Sequence, residues 1–509
     1  MVDETAAEIT GMEGLIRAAR ELRERLWHDR HRPRYHFLPP AGWMNDINGP
    51  LFWRGRYHVF YQHNPDAAYW RLMRWGHASS ADLVHWVHHP VALTPTPGGP
   101  DREGCFSGGA VIRDGVPTLI YHGVPDGTCL ATAHDDDLLD WTKHPSNPVI
   151  PVPKPGEPDF GKYGVYDPCA WQRGNTWYAL CGGSDPRGGD TAYLFESPDM
   201  VRWQYVAPFY TSDRRWTEAD EDCAVPDFFP LGNKHLLLFC SHLQGTQYYL
   251  GSYEGDRFRP ETHARLSWPG GLLGGGITMR DGSGRRLFFD WIREAREESA
   301  QRASGWSGVM TLPRALWLPE DGVLRMAPVP ELEILRRNHR RRDRVALAAD
   351  SEVILEEVSG ACLELALTIE PGEAREVGVK VCCSPDGAEQ TTIVCEPQAD
   401  LLKVDLSASS LDPTVRYHHY RNLGALARLP ESERVVRAQA APFALAPGER
   451  LQLRVFLDHS VLEVFANGRQ CLTQRVYPTR RDSVGVSLFA RGGVATVERL
   501  DVWDMAPAL

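Results

Sequence analysis

The sequence predicts an all-β protein: a five-bladed β-propeller followed by a C-terminal β-sandwich, with a short N-terminal helix. Three observations lead there. From about Tyr35 to Leu324, short apolar-aromatic runs alternate with clusters of Gly, Asp, Pro and Asn, the texture of strands joined by turns. Within that region Asp82-Leu83-Val84-His85-Trp86 recurs as Asp137-Leu138-Leu139-Asp140-Trp141 and as Asp199-Met200-Val201-Arg202-Trp203, at intervals of 55 and 62 residues. Later, period-two alternation dominates, as in Val377-Gly378-Val379-Lys380-Val381 and Leu453-Arg454-Val455-Phe456-Leu457.

In chain order, residues 1–33 form a helical extension. Ile9, Met12, Leu15, Ile16, Ala19, Leu22 and Leu26 recur at helical spacing from about Ala6 to His28, with charges between them. This is a packing or interface helix and a candidate homo-oligomer contact. Residues 34–330 carry the repeat. A small antiparallel sheet repeated at this period marks a propeller, and about 290 residues at roughly 58 per repeat gives about five blades. Residues 331–345, polar and rich in arginine, read as a solvated linker. Residues 346–509, with regularly spaced alternating strands, read as the sandwich.

Composition bounds the function. The 509-residue chain carries a net charge of −12 and is 42% hydrophobic. A basic footprint for nucleic acid is lacking, and no run approaches a membrane span. The 11 cysteines include no C-x-x-C, and Cys382-Cys383 is poor geometry for a local disulfide. Reduced, buried thiols are expected, and with no apolar leader segment at the start the expected compartment is cytoplasmic. His58, His63 and His77 lack a ligand-spaced partner set, so neither metal nor cofactor is expected.

Chemistry concentrates in Gly42-Trp43-Met44-Asn45-Asp46-Ile47-Asn48-Gly49-Pro50. One carboxylate, Asp46, stands among amides, a tryptophan and a turn signal. Rings stack on sugar carbons, amides grip hydroxyls and a carboxylate attacks, so the stretch suits a carbohydrate site.

Several segments in common order resemble glycoside hydrolase family 32, the family of invertases, levanases, inulinases and related fructosyltransferases. Trp43-Met44-Asn45-Asp46-Ile47-Asn48-Gly49 is similar to its W-M-N-D-P-N-G. Tyr61-Gln62-His63-Asn64-Pro65, Trp75-Gly76-His77-Ala78, Phe106-Ser107-Gly108, Met310-Thr311-Leu312-Pro313-Arg314, Phe456-Leu457-Asp458-His459-Ser460 and Glu463-Val464-Phe465 follow. The resemblance implies a propeller with a β-sandwich and a retaining glycosidase that releases terminal fructofuranosyl units from sucrose-like oligosaccharides or fructans. Two other readings share the scaffold: a fructosyltransferase, and a catalytically silent fructan-binding protein.

Retaining cleavage uses two carboxyl groups, one as nucleophile and one as acid and then base. The resemblance makes Asp46 the nucleophile, ionised and held at low pKa by hydrogen bonds from Asn45 or nearby backbone. Tyr166-Asp167-Pro168 stands where the family has R-D-P, which makes Asp167 the transition-state stabiliser. Tyr166 offers one hydroxyl where arginine offers a fork of donors. The family's E-C-P-D corresponds to Glu221-Asp222-Cys223-Ala224-Val225-Pro226-Asp227, with three residues too many. Alignment on the cysteine brings Asp222 to the glutamate's place, and alignment on Pro-Asp brings Ala224. Glu221 is expected as the acid/base because its side chain is longer, with burial raising its pKa; Glu218, Asp220 and Asp222 stand as alternatives. The resemblance also implies Asn45, Gln62, Trp70, Phe106, Ser107, Tyr166 and Trp291 as substrate-binding residues. Ile47 replaces the family's proline and removes no chemical group.

Overall fold

The computed structural model describes residues 12–418, 430 and 435–508. Met12–His28 is an α-helix; the expected start near Ala6 lies outside the described residues. Leu26 is buried and Leu22 packs beside it. Gly305 makes that docking possible, because a Cβ there would stand 3.1 Å from Leu22 Cδ1.

Five antiparallel sheets follow, each a meander. Their leading strands are Gly42–Trp53, Gly104–Arg113, Tyr166–Arg173, Ala224–Leu231 and Leu273–Arg280. Each leading strand touches that of the next sheet, and the fifth touches the first, so the sheets close into a ring. The chain then returns at Trp306–Ser307 to pair in parallel with Gly42 and Trp43. This pairing covers an otherwise open edge of the first sheet.

The recurring Asp-apolar-x-x-Trp segments are turns that lead into the outer strands Trp86–Leu93, Trp141–Lys143 and Gln204–Pro208. Leu83, Leu138 and Met200 adopt φ of 65°, 60° and 61°, a region disfavoured for such side chains. Their burial and local hydrogen bonds hold them there. Asp82 Oδ1 accepts from the Val84 and His85 amides at 3.0 and 2.8 Å. Asp199 Oδ1 accepts from Val201 and Arg202 at 3.0 and 2.9 Å. In the second copy this role belongs to Asp135, which accepts from Leu139 and Asp140, and Asp137 only follows it. Trp141 and Trp203 donate their indole N–H to Leu138 O and Met200 O at 2.8 and 2.6 Å.

All five leading strands share one irregularity. Their register slips between Met44 and Ile47, Cys105 and Gly108, Tyr166 and Cys169, Ala224 and Asp227, and Gly274 and Ile277. Each slip brackets two residues: Asn45-Asp46, Phe106-Ser107, Asp167-Pro168, Val225-Pro226 and Gly275-Gly276. A β-bulge re-aims a side chain locally, and the same bulge recurs at the same place in every sheet.

The remainder forms two six-stranded sheets around buried residues such as Leu365, Val379, Val455 and Leu488. The basic stretch expected to be a linker is instead a short 3-10 turn, Pro330–Leu335, and an edge strand, Arg336–Leu347. Its arginines read as solvated because their partners are remote in sequence. Arg336 grips Glu364 through two bonds of 2.8 Å, and Arg340 pairs with Asp504 at 2.5 Å. Charge on an edge strand also discourages further strand pairing.

A buried polar network joins the two parts. Glu463 accepts from the Leu312 amide and from Arg314, each at 2.7 Å, and Arg314 also reaches Thr473 Oγ1 at 2.7 Å. Asp458 accepts from the Arg34, Tyr35 and His36 amides. The segments Met310–Arg314 and Phe456–Phe465 are thus the joint between the parts, with side chains of both wholly buried.

Candidate active site

The bulges of the first three sheets carry the functional side chains expected from sequence. Ser107 Oγ donates to Asp46 Oδ2 at 2.7 Å, joining the first two sheets. Trp43 Nε1 donates to Asn45 Oδ1 at 2.8 Å, which leaves the Asn45 amide to donate to Asp46. Asp46 also needs Gly275: a Cβ there would lie 2.4 Å from Asp46 Oδ1, so the fifth bulge is glycine because the carboxylate occupies its space. Burial raises the Asp46 pKa, and the Ser107 and Asn45 hydrogen bonds and the nearby His242 charge oppose it. The expected low pKa is therefore reversed, because desolvation outweighs the donors.

Asp167 takes φ of 39° at the third bulge, a strained conformation of the kind found at functional sites. Its carboxyl is pushed up to about 7 by burial first and then by the charge of Asp46, with His242 opposing. Tyr166 is exposed, with its ring edge-on to His122 at 5.7 Å.

The other expected residues surround this centre in different ways. Gln62 is buried and spends its amide on Cys105 O at 2.9 Å, so it supports the second bulge. Phe106 meets Trp70 edge-on at 5.9 Å, and Trp70 is exposed. Trp291 is buried 5.9 Å from the Trp43 ring, and its indole N–H has no acceptor among the described residues. Trp43 and Trp70 line a cavity of about 360 Å³ that continues past Arg293, Glu297 and Gln301 to Thr414, Arg416 and His418. Residues from both parts of the chain therefore wall the approach to the aromatic side.

Glu221 does not stand as expected. Its exposure is 0%. Its two oxygens accept from the Glu218 amide at 2.8 Å and from Gln247 Nε2 at 2.7 Å, and Gln247 Oε1 in turn meets His263 Nε2 at 2.7 Å. A carboxylate enclosed by donors is a strut, with no oxygen offered to a leaving group. Of the alternatives, Glu218 Oε1 accepts from Gln244 Nε2 at 3.1 Å.

The fourth bulge explains the misreading. By register Ala224 holds the place of Met44, Cys105, Tyr166 and Gly274, so Pro226-Asp227 is the part of the motif in phase with the other sheets. Asp227 accepts from the Thr278 amide and hydroxyl at 2.7 and 2.6 Å and ties the fourth sheet to the fifth. The cysteine side of the motif is drawn away, since Cys223 exchanges two backbone hydrogen bonds of 2.9 Å with Gly183 of the third sheet.

Asp222 thereby leans between the third and fourth sheets, where it meets His242. Its oxygens accept from the His242 amide at 2.9 Å and from Nδ1 at 2.6 Å. This hydrogen bond, together with the charges of Asp222, Asp167 and Asp46, raises His242 to about 9. Sequence reading missed His242, Gly275 and Asp290. Asp290 is wholly buried and pushed up to about 8 by burial, with Asp46 adding to the effect. No local motif marks these three, since each acquires its meaning from a neighbour on another sheet.

Among the described residues one group could gather around a metal ion, Cys362, Asp458 and His459. It lies at the joint between the two parts, with Asp458 already accepting three backbone amides and His459 Nδ1 bonded to Arg30 O at 2.6 Å.

Comparison with known proteins agrees with this geometry. Residues 36–328 match the glycosyl hydrolases family 32 N-terminal domain, and residues 331–504 match the family 32 C-terminal domain. Sucrose-6-phosphate hydrolase of Escherichia coli is 30% identical over 93% of this chain and 94% of its own. Raffinose invertase of Escherichia coli is also 30% identical, over 92% and 94%. The crystal structure of fructan 1-exohydrolase IIa from Cichorium intybus superposes with a TM-score of 0.82 at 26% identity, covering 94% of this chain and 98% of that one. The chain is a glycosidase and belongs to glycosyl hydrolase family 32.

Proposed function

We propose that this protein is a retaining β-fructofuranosidase that removes terminal fructosyl units from sucrose-like oligosaccharides or fructans, on a five-bladed propeller whose bulges converge on the sugar. The observation that carries this reading is the pair of half-buried carboxylates at equivalent bulges of the first and third sheets: Asp46, held by Ser107, and Asp167. The relatives named sucrose-6-phosphate hydrolase and raffinose invertase support fructosides as the substrate class.

Asp46 is the nucleophile. Its Oδ2 is engaged by Ser107, which leaves Oδ1 to attack the anomeric carbon as the glycosidic bond breaks. Asp167 accepts from two sugar hydroxyls and stabilises the positive charge that develops in the transition state. Trp291 packs beside Trp43, while Trp43, Trp70 and Phe106 offer ring faces and edges. Asn45 and Ser107 keep Asp46 oriented. Tyr166, exposed at the rim, contacts the group beyond the fructose. The proton donor comes from the segment between Glu218 and Cys223 or from what that segment holds.

The test is fructose release from sucrose, sucrose 6-phosphate, raffinose, inulin and levan by wild type and Asp46→Asn. Release by wild type alone is expected. Silence on every substrate would overturn the hydrolase reading, and equal release by both proteins would remove Asp46 from its role. Lengthened oligosaccharides in place of free fructose would move the activity to transfer.

A further inference from the structure

The fourth sheet has no carboxylate at its bulge, where Val225 and Pro226 stand, and Glu221 is sealed. A fructoside leaving group still needs a proton, because an alkoxide is a poor leaving group. An imidazole at the fourth sheet can supply one. His242 follows the strand Lys234–Ser241, and its side chain is 57% exposed while that of Asp222 is 24% exposed. Asp222 takes the His242 amide and Nδ1–H together, which fixes the ring plane and the tautomer and leaves Nε2 facing away from Asp222. Cys240, two residues before His242, pairs with Ala224 at the start of the fourth bulge, which places the ring at the bulge end of the fourth sheet, and its charge acts on Asp46 and on Asp167.

We propose, on the reading of the protein as a retaining fructosidase, that His242 is the catalytic acid and then base, with Asp222 as its positioning residue. In the first step Asp46 forms a bond to the anomeric carbon, the bond from that carbon to the leaving oxygen breaks, and the Nε2 proton passes to that oxygen. The neutral ring keeps its Nδ1–H on Asp222. In the second step water attacks the anomeric carbon, the bond to Asp46 breaks, Nε2 takes the proton from water, and the imidazolium and the carboxylate are restored.

The surrounding charges drive this cycle. Asp222, Asp167 and Asp46 are the charged groups that face His242, and all three favour its protonated form. When Asp46 becomes an ester its charge disappears, one support of the imidazolium is lost, and the ring becomes a stronger acid as the leaving oxygen needs the proton. Hydrolysis of the ester restores the charge and the affinity for a proton.

The experiment compares wild type, His242→Gln and Asp222→Asn on sucrose and on p-nitrophenyl β-fructofuranoside, whose leaving group departs without a proton. His242→Gln should lose about 10²–10⁴-fold in kcat/KM on sucrose and stay within about tenfold on the activated substrate. Added imidazole should restore part of the sucrose turnover of His242→Ala. Asp222→Asn should move the basic limb of the pH profile to lower pH, because the largest support of the imidazolium is removed. Near-normal sucrose turnover by His242→Gln overturns the proposal, as does an equal loss on both substrates, and as does a leaving-group-dependent loss in Asp222→Asn alone. The activated substrate also reports whether each variant is folded. A wild type that released no fructose from any substrate would instead defeat the fructosidase reading, an outcome visible before any variant is made.

Discussion

Gly275 and Asp46 compete for the same space: a Cβ on the glycine would stand 2.4 Å from one carboxylate oxygen and 2.5 Å from its carbon. The glycine also has φ of 88°, where a side chain is strained. Gly275→Ala should therefore push Asp46 out of line while leaving the outer strands intact. Misplacement by about 1 Å can cost about 10²-fold in rate, and a drop in kcat of that order is expected. Steady-state kinetics alongside far-UV circular dichroism separates this from unfolding.

Ser107→Ala removes the hydrogen bond that most opposes the burial of Asp46. Its carboxyl is already raised, so loss of the donor should raise it further. The acidic limb of the kcat/KM profile should move to higher pH. A hydrogen bond to a charged group is worth about 1.5–3 kcal/mol, which corresponds to roughly a ten- to hundredfold loss at neutral pH. A limb that stays in place would show that Ser107 does not set the ionisation of Asp46.

Asp46→Asn should change the titration of its neighbour as well as abolish turnover. Asp167 is pushed up to about 7, with burial the larger cause and the Asp46 charge the next. An amide at position 46 removes the second cause, so Asp167 should ionise at lower pH. Fructose binding that requires ionised Asp167 should then persist to lower pH in the variant. Calorimetric titration between pH 4 and 8 measures this.

Asp290 links the site to stability. Its folded pKa, about 8, lies well above its ordinary value of 3.8. The folded state thus binds the proton more tightly than the unfolded state, and stability falls as pH rises from about 4 to 8. Asp290→Asn mimics the protonated form. The melting temperatures of variant and wild type should coincide below pH 4, and the variant should gain steadily up to pH 8. A constant difference at all pH values would exclude the linkage.

The joint between the two parts should be sensitive to half-removal. Arg314 and Glu463 form a wholly buried ion pair at 2.7 Å. Arg314→Leu leaves Glu463 buried with the Leu312 amide and His36 as its remaining partners among the described residues, at an expected cost of about 3–5 kcal/mol. Arg314→Leu with Glu463→Leu should cost less than the single change. Denaturant midpoints for both variants test this.

Asp46 stood out in sequence because Trp43, Asn45 and the glycine turn lie within a few residues of it, while Ser107 and Gly275 reach it from other sheets. Asp167 stood out only through the likeness of Tyr166-Asp167-Pro168 to a family motif. Leu83, Leu138 and Met200 carried the repeat, since each is a buried left-handed turn followed by a tryptophan, with a nearby acid (Asp82, Asp135 or Asp199) accepting the turn amides. Glu221 was misread because side-chain length says nothing about enclosure, and Gln247 and the Glu218 amide close around it only in the folded chain. The arginines of Arg336–Leu347 were misread because Glu364 and Asp504 reach them from strands distant in sequence.

Alternation, turn chemistry and the apolar-tryptophan repeat are local properties of the chain, and they sufficed to determine an all-β architecture, while the resemblance of its short motifs to one family pointed to Asp46, Asp167 and glycosidase chemistry. Only the tertiary structure decided that five bulges aim at one centre, that Gly275 yields its space to Asp46, and that Asp222 holds His242 while Glu221 becomes a strut. Those outcomes depend on desolvation and on hydrogen bonds between sheets, and both arise only when segments far apart in the sequence are packed together.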